Sequence, residues 1–183
     1  MKTLNKLSAY TLEVKKSKFH SFLIPFDKFE NKLNELKKVH PKARHFVTAF
    51  RYLNEHKQIV EGSSDDGEPK GTSGKPTLKV LQGNDLINVG IITVRYFGGT
   101  LLGAGGLVRA YTDSANLAVA NAELIPYEEN LEEIINVDYE KSSKCEYLFK
   151  KYHIEVIERN FLDGISYKIR GNKENLKNLR ENL

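Results

Sequence analysis

A chain of 183 residues with 40% hydrophobic and 28% charged residues has a globular composition and the length for one large domain or two small ones. No apolar run is long enough to cross a bilayer, and Met1-Lys2-Thr3-Leu4-Asn5-Lys6 lacks a secretory apolar core, so the expected location is the cytoplasm with no membrane partner. The lone cysteine, Cys145, excludes an internal disulfide, and the net charge of +4 permits a polyanionic partner without requiring one.

Aromatic and branched residues predict a first strand over Phe19 to Phe26, which Pro25 and Asp27 close. Asp27 is a predicted N-cap with Glu30 three residues on, and Phe29, Leu33, Leu36 and Val39 form the apolar face of a helix that Pro41 stops. His45 to Leu53 reads as a second strand, joined through the turn Asn54-Glu55-His56-Lys57 to Gln58-Ile59-Val60-Glu61. After a glycine-rich loop, a short helix with Pro76 at its first position would turn Leu78 and Leu81 inward. Val89 to Phe97 is a nearly continuous apolar run, the mark of a buried central strand. A second glycine loop leads into a helix whose Leu107, Tyr111, Ser114, Ala118 and Ala122 share a face.

The chain breaks near Pro126, dividing residues 1–126 from 127–183. Beyond the break, Leu131 to Tyr139 reads as a strand, Lys141 to Tyr152 as a helix and Ile154 to Phe161 as a strand. An Asp163-Gly164 turn, a strand from Ser166 to Arg170 and a helix from Lys173 to Asn182 follow. The order β-α-β-β-α is a ferredoxin-like half-sheet without its last strand. The fold class is therefore α+β, in two domains.

The block Asp65-Asp66-Gly67-Glu68-Pro69-Lys70-Gly71-Thr72-Ser73-Gly74-Lys75-Pro76 has the parts of an anion site: Lys70, Lys75, the Thr72 and Ser73 hydroxyls, and backbone N–H groups at a helix start. It is not a Walker A loop, because Pro69 stands where a glycine belongs and Pro76 where Ser or Thr belongs. The competing reading makes its glycines turns and its acids local caps or bridges. Asp65, Asp66 and Glu68 are either structuring groups of the loop or ligands of a hard cation, though their spacing is not that of an EF-hand.

The second segment contains Gly98, Gly99, Gly103, Gly105 and Gly106, with Val108 where a dinucleotide fingerprint needs its third glycine. These glycines are expected to let the helix approach the sheet and to expose its N-terminus. Arg95 and Arg109 would meet at one phosphate-sized site, or bond Asp65, Asp66 or loop carbonyls. Tyr96 and Phe97 offer base stacking or core packing. His45 has no partner at catalytic spacing, the five histidines form no metal pattern and no nucleophile elbow occurs, so catalytic machinery and a resident cofactor are not expected.

Pro41-Lys42-Ala43-Arg44-His45, the Asp65–Pro76 block and the run from Arg95 to Tyr111 together resemble the YigZ/IMPACT family, most strongly between Ser17 and Pro126. The resemblance implies an N-terminal α/β sandwich of the kind shared by a small-subunit ribosomal protein, domain IV of elongation factor G and the GHMP kinases. It also implies a ferredoxin-like C-terminal domain similar to another elongation factor G domain. Eukaryotic members modulate an amino-acid-starvation kinase pathway and carry an additional N-terminal domain, for which this chain is expected to have no room. Lys70 stands where many members have serine, and Thr100-Leu101-Leu102 lacks a lysine that some show.

Residues 1–126 hold 18 Lys and Arg against 12 Asp and Glu, while residues 127–183 hold 10 against 12. This asymmetry and the resemblance lead to one expectation. The protein would be a translation-linked regulator whose basic N-terminal domain binds RNA or the ribosome through Lys70, Lys75, Arg95 and Arg109, with an acidic C-terminal domain for a protein partner. His45 and Tyr111 belong to the matched motifs. An enzyme acting on a phosphorylated small molecule and a protein-binding adaptor are the alternatives.

Overall fold

Every residue from Val89 to Arg95 is buried. Such a strand needs hydrogen-bonded neighbours on both edges and cover on both faces. The computed structural model, which describes residues 1–161 and 164–183, supplies both. The chain divides into two compact units, Met1–Tyr127 and Glu128–Leu183.

In the first unit, β6 (Val89–Tyr96) is the middle of a five-stranded sheet. The order is β2 (Ser8–Val14), β3 (Ser17–Pro25), β6, β4 (His45–Leu53), β5 (Ile59–Ser64), with every neighbouring pair antiparallel. Strand side chains alternate between faces. Leu23, Ala49 and Ile91 therefore pack under α2 (Gly74–Gly83) and α3 (Gly103–Ala120), with Val80, Leu81, Ala115 and Ala118. On the other face Ile24, Phe46, Ile92 and Val94 pack under Leu36 of α1 (Phe29–Val39). A short pairing of β1 (Lys2–Thr3) with β7 (Ile125–Pro126) joins the ends of the unit.

The α3 side of the sheet carries one polar seam through its apolar packing. Ser21 Oγ lies 2.7 Å from both Thr93 Oγ1 and Ser114 Oγ, and all three are fully buried. Each hydroxyl satisfies its neighbour, which removes most of the cost of burying them.

The second unit is β8 (Asn130–Val137), α4 (Ser142–Lys151), β9 (Glu155–Phe161), β10 (Ile165–Asn172) and α5 (Lys173–Asn182). The last strand lies between the first two, antiparallel to both. Ile165, Tyr167 and Ile169 of β10 pack against Cys145, Leu148 and Phe149 of α4 and Leu176 and Leu179 of α5. Asn172 caps α5, its Oδ1 accepting from Asn175 N at 2.7 Å.

Three sequence expectations change. Asp27 does not cap α1: Phe26–Lys28 is a 3-10 turn, Lys28 precedes the helix, and no side chain bonds its first amides. Pro76 is the third residue of α2 rather than the first, still inside the turn where a missing N–H is harmless. β2 had no predicted counterpart. The predicted Asp163-Gly164 turn includes a residue outside those described.

The strap after β6 is fitted to its neighbour. Gly98 N donates to Ser17 Oγ at 3.0 Å, and a Cβ on Gly98 would lie 2.1 Å from the Lys16 carbonyl carbon. Backbone cannot yield as a side chain does. Gly98→Ala is expected to destabilise the first unit by about 1–3 kcal/mol, read as a lower urea midpoint with unchanged slope.

Candidate functional site

The loop between β5 and α2 is built around its own carboxylates. Asp65 Oδ1 accepts from Gly74 N at 2.8 Å, Ser73 Oγ at 2.7 Å and Ser73 N at 3.2 Å, while Oδ2 accepts from Gly71 N at 2.8 Å. A helix start and the turn before it form a concavity of N–H groups that favours an anion. Here Asp65 fills it. Burial pushes the Asp65 carboxyl up, but the bonds from Gly71, Gly74 and Ser73 outweigh it and hold the pKa below the usual carboxylate range.

Asp66 Oδ2 accepts from Phe46 N at 2.6 Å, tying the loop to the start of β4. Glu68 reaches further inward. Its side chain is 3% exposed, and Oε1 accepts from Arg95 Nη1 at 2.6 Å and from the Tyr111 hydroxyl at 2.8 Å. The sheet register makes this meeting possible, since Arg95 on β6 pairs with Phe19 on β3 and His45 on β4. Those residues share the face under α3, where Tyr111 meets Phe19 edge-on at 5.1 Å and the Arg95 guanidinium lies 5.5 Å from the Phe19 ring. Burial, followed by the Glu68 charge, pushes the Tyr111 phenol far above its ordinary value and keeps it a donor.

His45 completes the cluster. Its Nδ1 lies 2.8 Å from the Asp66 carbonyl, which only accepts, so this nitrogen carries the proton. Nε2 is thereby turned toward Glu68 Oε2, 4.0 Å away. Arg95 Nε is the one buried side-chain nitrogen or oxygen without a partner among the described residues.

The predicted residues therefore separate into groups. Lys70, Lys75 and Arg109 are exposed and pair with no described carboxylate. Thr72 and Ser73 are buried with hydroxyls donating to the Pro69 carbonyl and Asp65, so neither is a free ligand for an anion. Arg95 is likewise no free cation, and it does not meet Arg109. Its partner is Glu68 rather than the expected Asp65 or Asp66. Tyr96 falls on the opposite face of the sheet, its hydroxyl 2.9 Å from His40 Nδ1, and stands apart from the Arg95 cluster.

The three loop acids are spent on separate partners, and no group of three His, Cys, Asp or Glu among the described residues converges on a metal position. The α3 glycines do not serve close approach to the sheet. A Cβ at Gly103 or Gly105 meets open space, while Gly99 and Gly103 are left-handed, at φ +85° and +72°. The Glu68 partnership escaped the sequence reading; parity signalled only that Arg95, which shares a face with Thr93 and Ile91 on a buried strand, needs a carboxylate.

In the second unit part of the acidic surface is ion-paired. Glu132 pairs with Lys168 and Arg170, and Glu133 with Arg180. No helix among the described residues is long and apolar enough to cross a membrane.

Residues 15–119 match the family model of the Impact N-terminal domain. The chain is 37% identical over 159 residues to an IMPACT family member of Haemophilus influenzae, covering 84% of this chain and 76% of that protein. It is 41% identical over 110 residues to IMPACT family member YigZ of Escherichia coli, covering 58% of this chain and 54% of that relative. A crystal structure of a hypothetical protein matches with a TM-score of 0.73 at 26% identity, over 97% of this chain and 88% of that one.

Two outcomes follow from this geometry. Arg95→Ala strands a buried carboxylate, so it is expected to lower stability by about 3–5 kcal/mol in chemical denaturation, where a surface phosphate contact would change little. Asp65, with its pKa depressed on folding, contributes stability that is present above its unfolded pKa of about 4 and lost as pH falls through the folded value. Asp65→Asn should flatten that acid limb in melts between about pH 5 and pH 2 and lower stability at neutral pH.

Proposed function

Because the chain belongs to the IMPACT family, we propose that it is a cytoplasmic, translation-linked regulator that binds RNA or the ribosome through the basic loop surface of its first unit. The observation that carries this reading is the imbalance at the loops. Glu68 is paired with buried Arg95, and Asp65 and Asp66 are held by backbone amides, whereas Lys70, Lys75 and Arg109 stand exposed and unpaired among the described residues. Unneutralised cations on a domain with a Lys and Arg surplus attract phosphates and release counterions on contact.

Fold analogy adds to the reading. We read the helix-covered sheet of the first unit as a sandwich of the kind in domain IV of elongation factor G. We read the second unit, whose third strand lies between the other two, as ferredoxin-like. A translation factor joins domains of these two kinds. No cofactor enters this role, and the second unit remains the candidate surface for a protein partner.

Co-sedimentation with ribosomes and bulk RNA across a salt series tests the proposal. Binding that weakens steeply with salt, and further in Lys70→Ala/Arg109→Ala, is the expected result. Absence of binding at low salt would sink the RNA and ribosome role.

A further inference from the structure

Lys75 and Lys79 stand one turn apart on α2, where like charges repel. Lys75 also lies in the first turn, where a positive charge opposes the helix dipole, and that turn holds no acid. Neither lysine pairs with a carboxylate among the described residues. Two unfavourable arrangements at one place call for an external anion.

Both lysines line a groove of about 670 Å³ between α2 and α3. Asn84 continues their wall, and Val108, Thr112 and Asn116 form the other. No Asp or Glu lines it among the described residues. Helical spacing sets Arg109 on its solvent lip, beside Val108 and Thr112.

We propose that this groove holds the sugar-phosphate backbone of single-stranded RNA, a placement that rests on the RNA reading above and adds Lys79, Asn84, Thr112 and Asn116 to it. The groove lies open along the surface, which suits a strand passing through rather than a small ligand enclosed on most sides. A concave channel with cations on one wall tracks one backbone, whereas a duplex would bridge over it. The Thr112 and Asn116 side chains supply neutral hydrogen-bonding groups for phosphate and ribose. No aromatic ring lines the walls, so bases are not stacked there and binding is independent of sequence.

Fluorescence anisotropy with a short fluorescein-labelled oligouridylate tests the placement. Lys75→Ala/Lys79→Ala should weaken binding about tenfold and reduce the slope of log affinity against log salt by about 0.7 per lysine. Lys37→Ala/Lys38→Ala, with the same charge change on α1 across the sheet, should change neither. Thr112→Trp fills the groove without altering charge and should weaken binding at every salt concentration, with circular dichroism confirming the fold. If both lysine pairs weaken binding equally, the groove is wrong and the RNA reading survives. If duplex RNA competes as well as single strands, the single-strand assignment falls. If the wild-type protein binds no RNA at low salt, both fall.

Discussion

The Glu68 carboxylate, buried against Arg95 and Tyr111, joins a loop, the central strand and the longest helix of the first unit at one point. Removing two charges from water costs several kcal/mol each, and their attraction offsets this only with good geometry and further hydrogen bonds. The 2.6 Å and 2.8 Å bonds to Oε1 meet that requirement. Arg95 Nε, left unpaired, does not. Such a pair stabilises less than an apolar core would, but it tolerates few alternatives. Arg95 must stand across from Phe19 and His45 in register, and α3 must present Tyr111. The pair thus selects one arrangement among those the apolar residues alone would permit.

With Glu68 anchored inward, Asp65, one hydrogen-bonded turn before it, is brought to the start of α2. A loop rich in glycine, serine and threonine beside a helix start has the form of a phosphate cradle. This one is satisfied from within, since a ligand would have to displace a carboxylate held by four hydrogen bonds. The backbone amides consequently serve folding, which leaves the proposed anion contacts to lysine side chains rather than to the loop backbone.

What the sequence made legible was local. β4 spans His45–Leu53, as its aromatic and β-branched residues indicate, and α5 spans Lys173–Asn182, the bounds read from the sequence. β2 was not legible because it is an edge strand with mostly exposed side chains, whose identity depends on pairing with β3. Asp27 had the chemistry of a cap but lies within a 3-10 turn that follows the extended backbone of Pro25, so its side chain never reaches the amides of α1. At the site, the choice of Glu68 over Asp65 or Asp66 required knowing which carboxylate the loop turns inward. That follows from long-range pairing, and no spacing within the motif encodes it.

Charge offers a further distinction between the units. In the second, Glu132, Glu133 and Glu155 are matched by Lys168, Arg170 and Arg180 across the sheet and α5. Exposed pairs of this kind contribute little to stability, so their main consequence is to offset charge locally rather than to hold the fold. In the first unit Glu68 is buried against an arginine and a phenol, Asp65 and Asp66 are held by amides, and the lysines of α2 pair with no carboxylate among the described residues. The same Asp65 and Glu68 contacts that hold the loop also keep those two carboxylates from pairing with the α2 lysines.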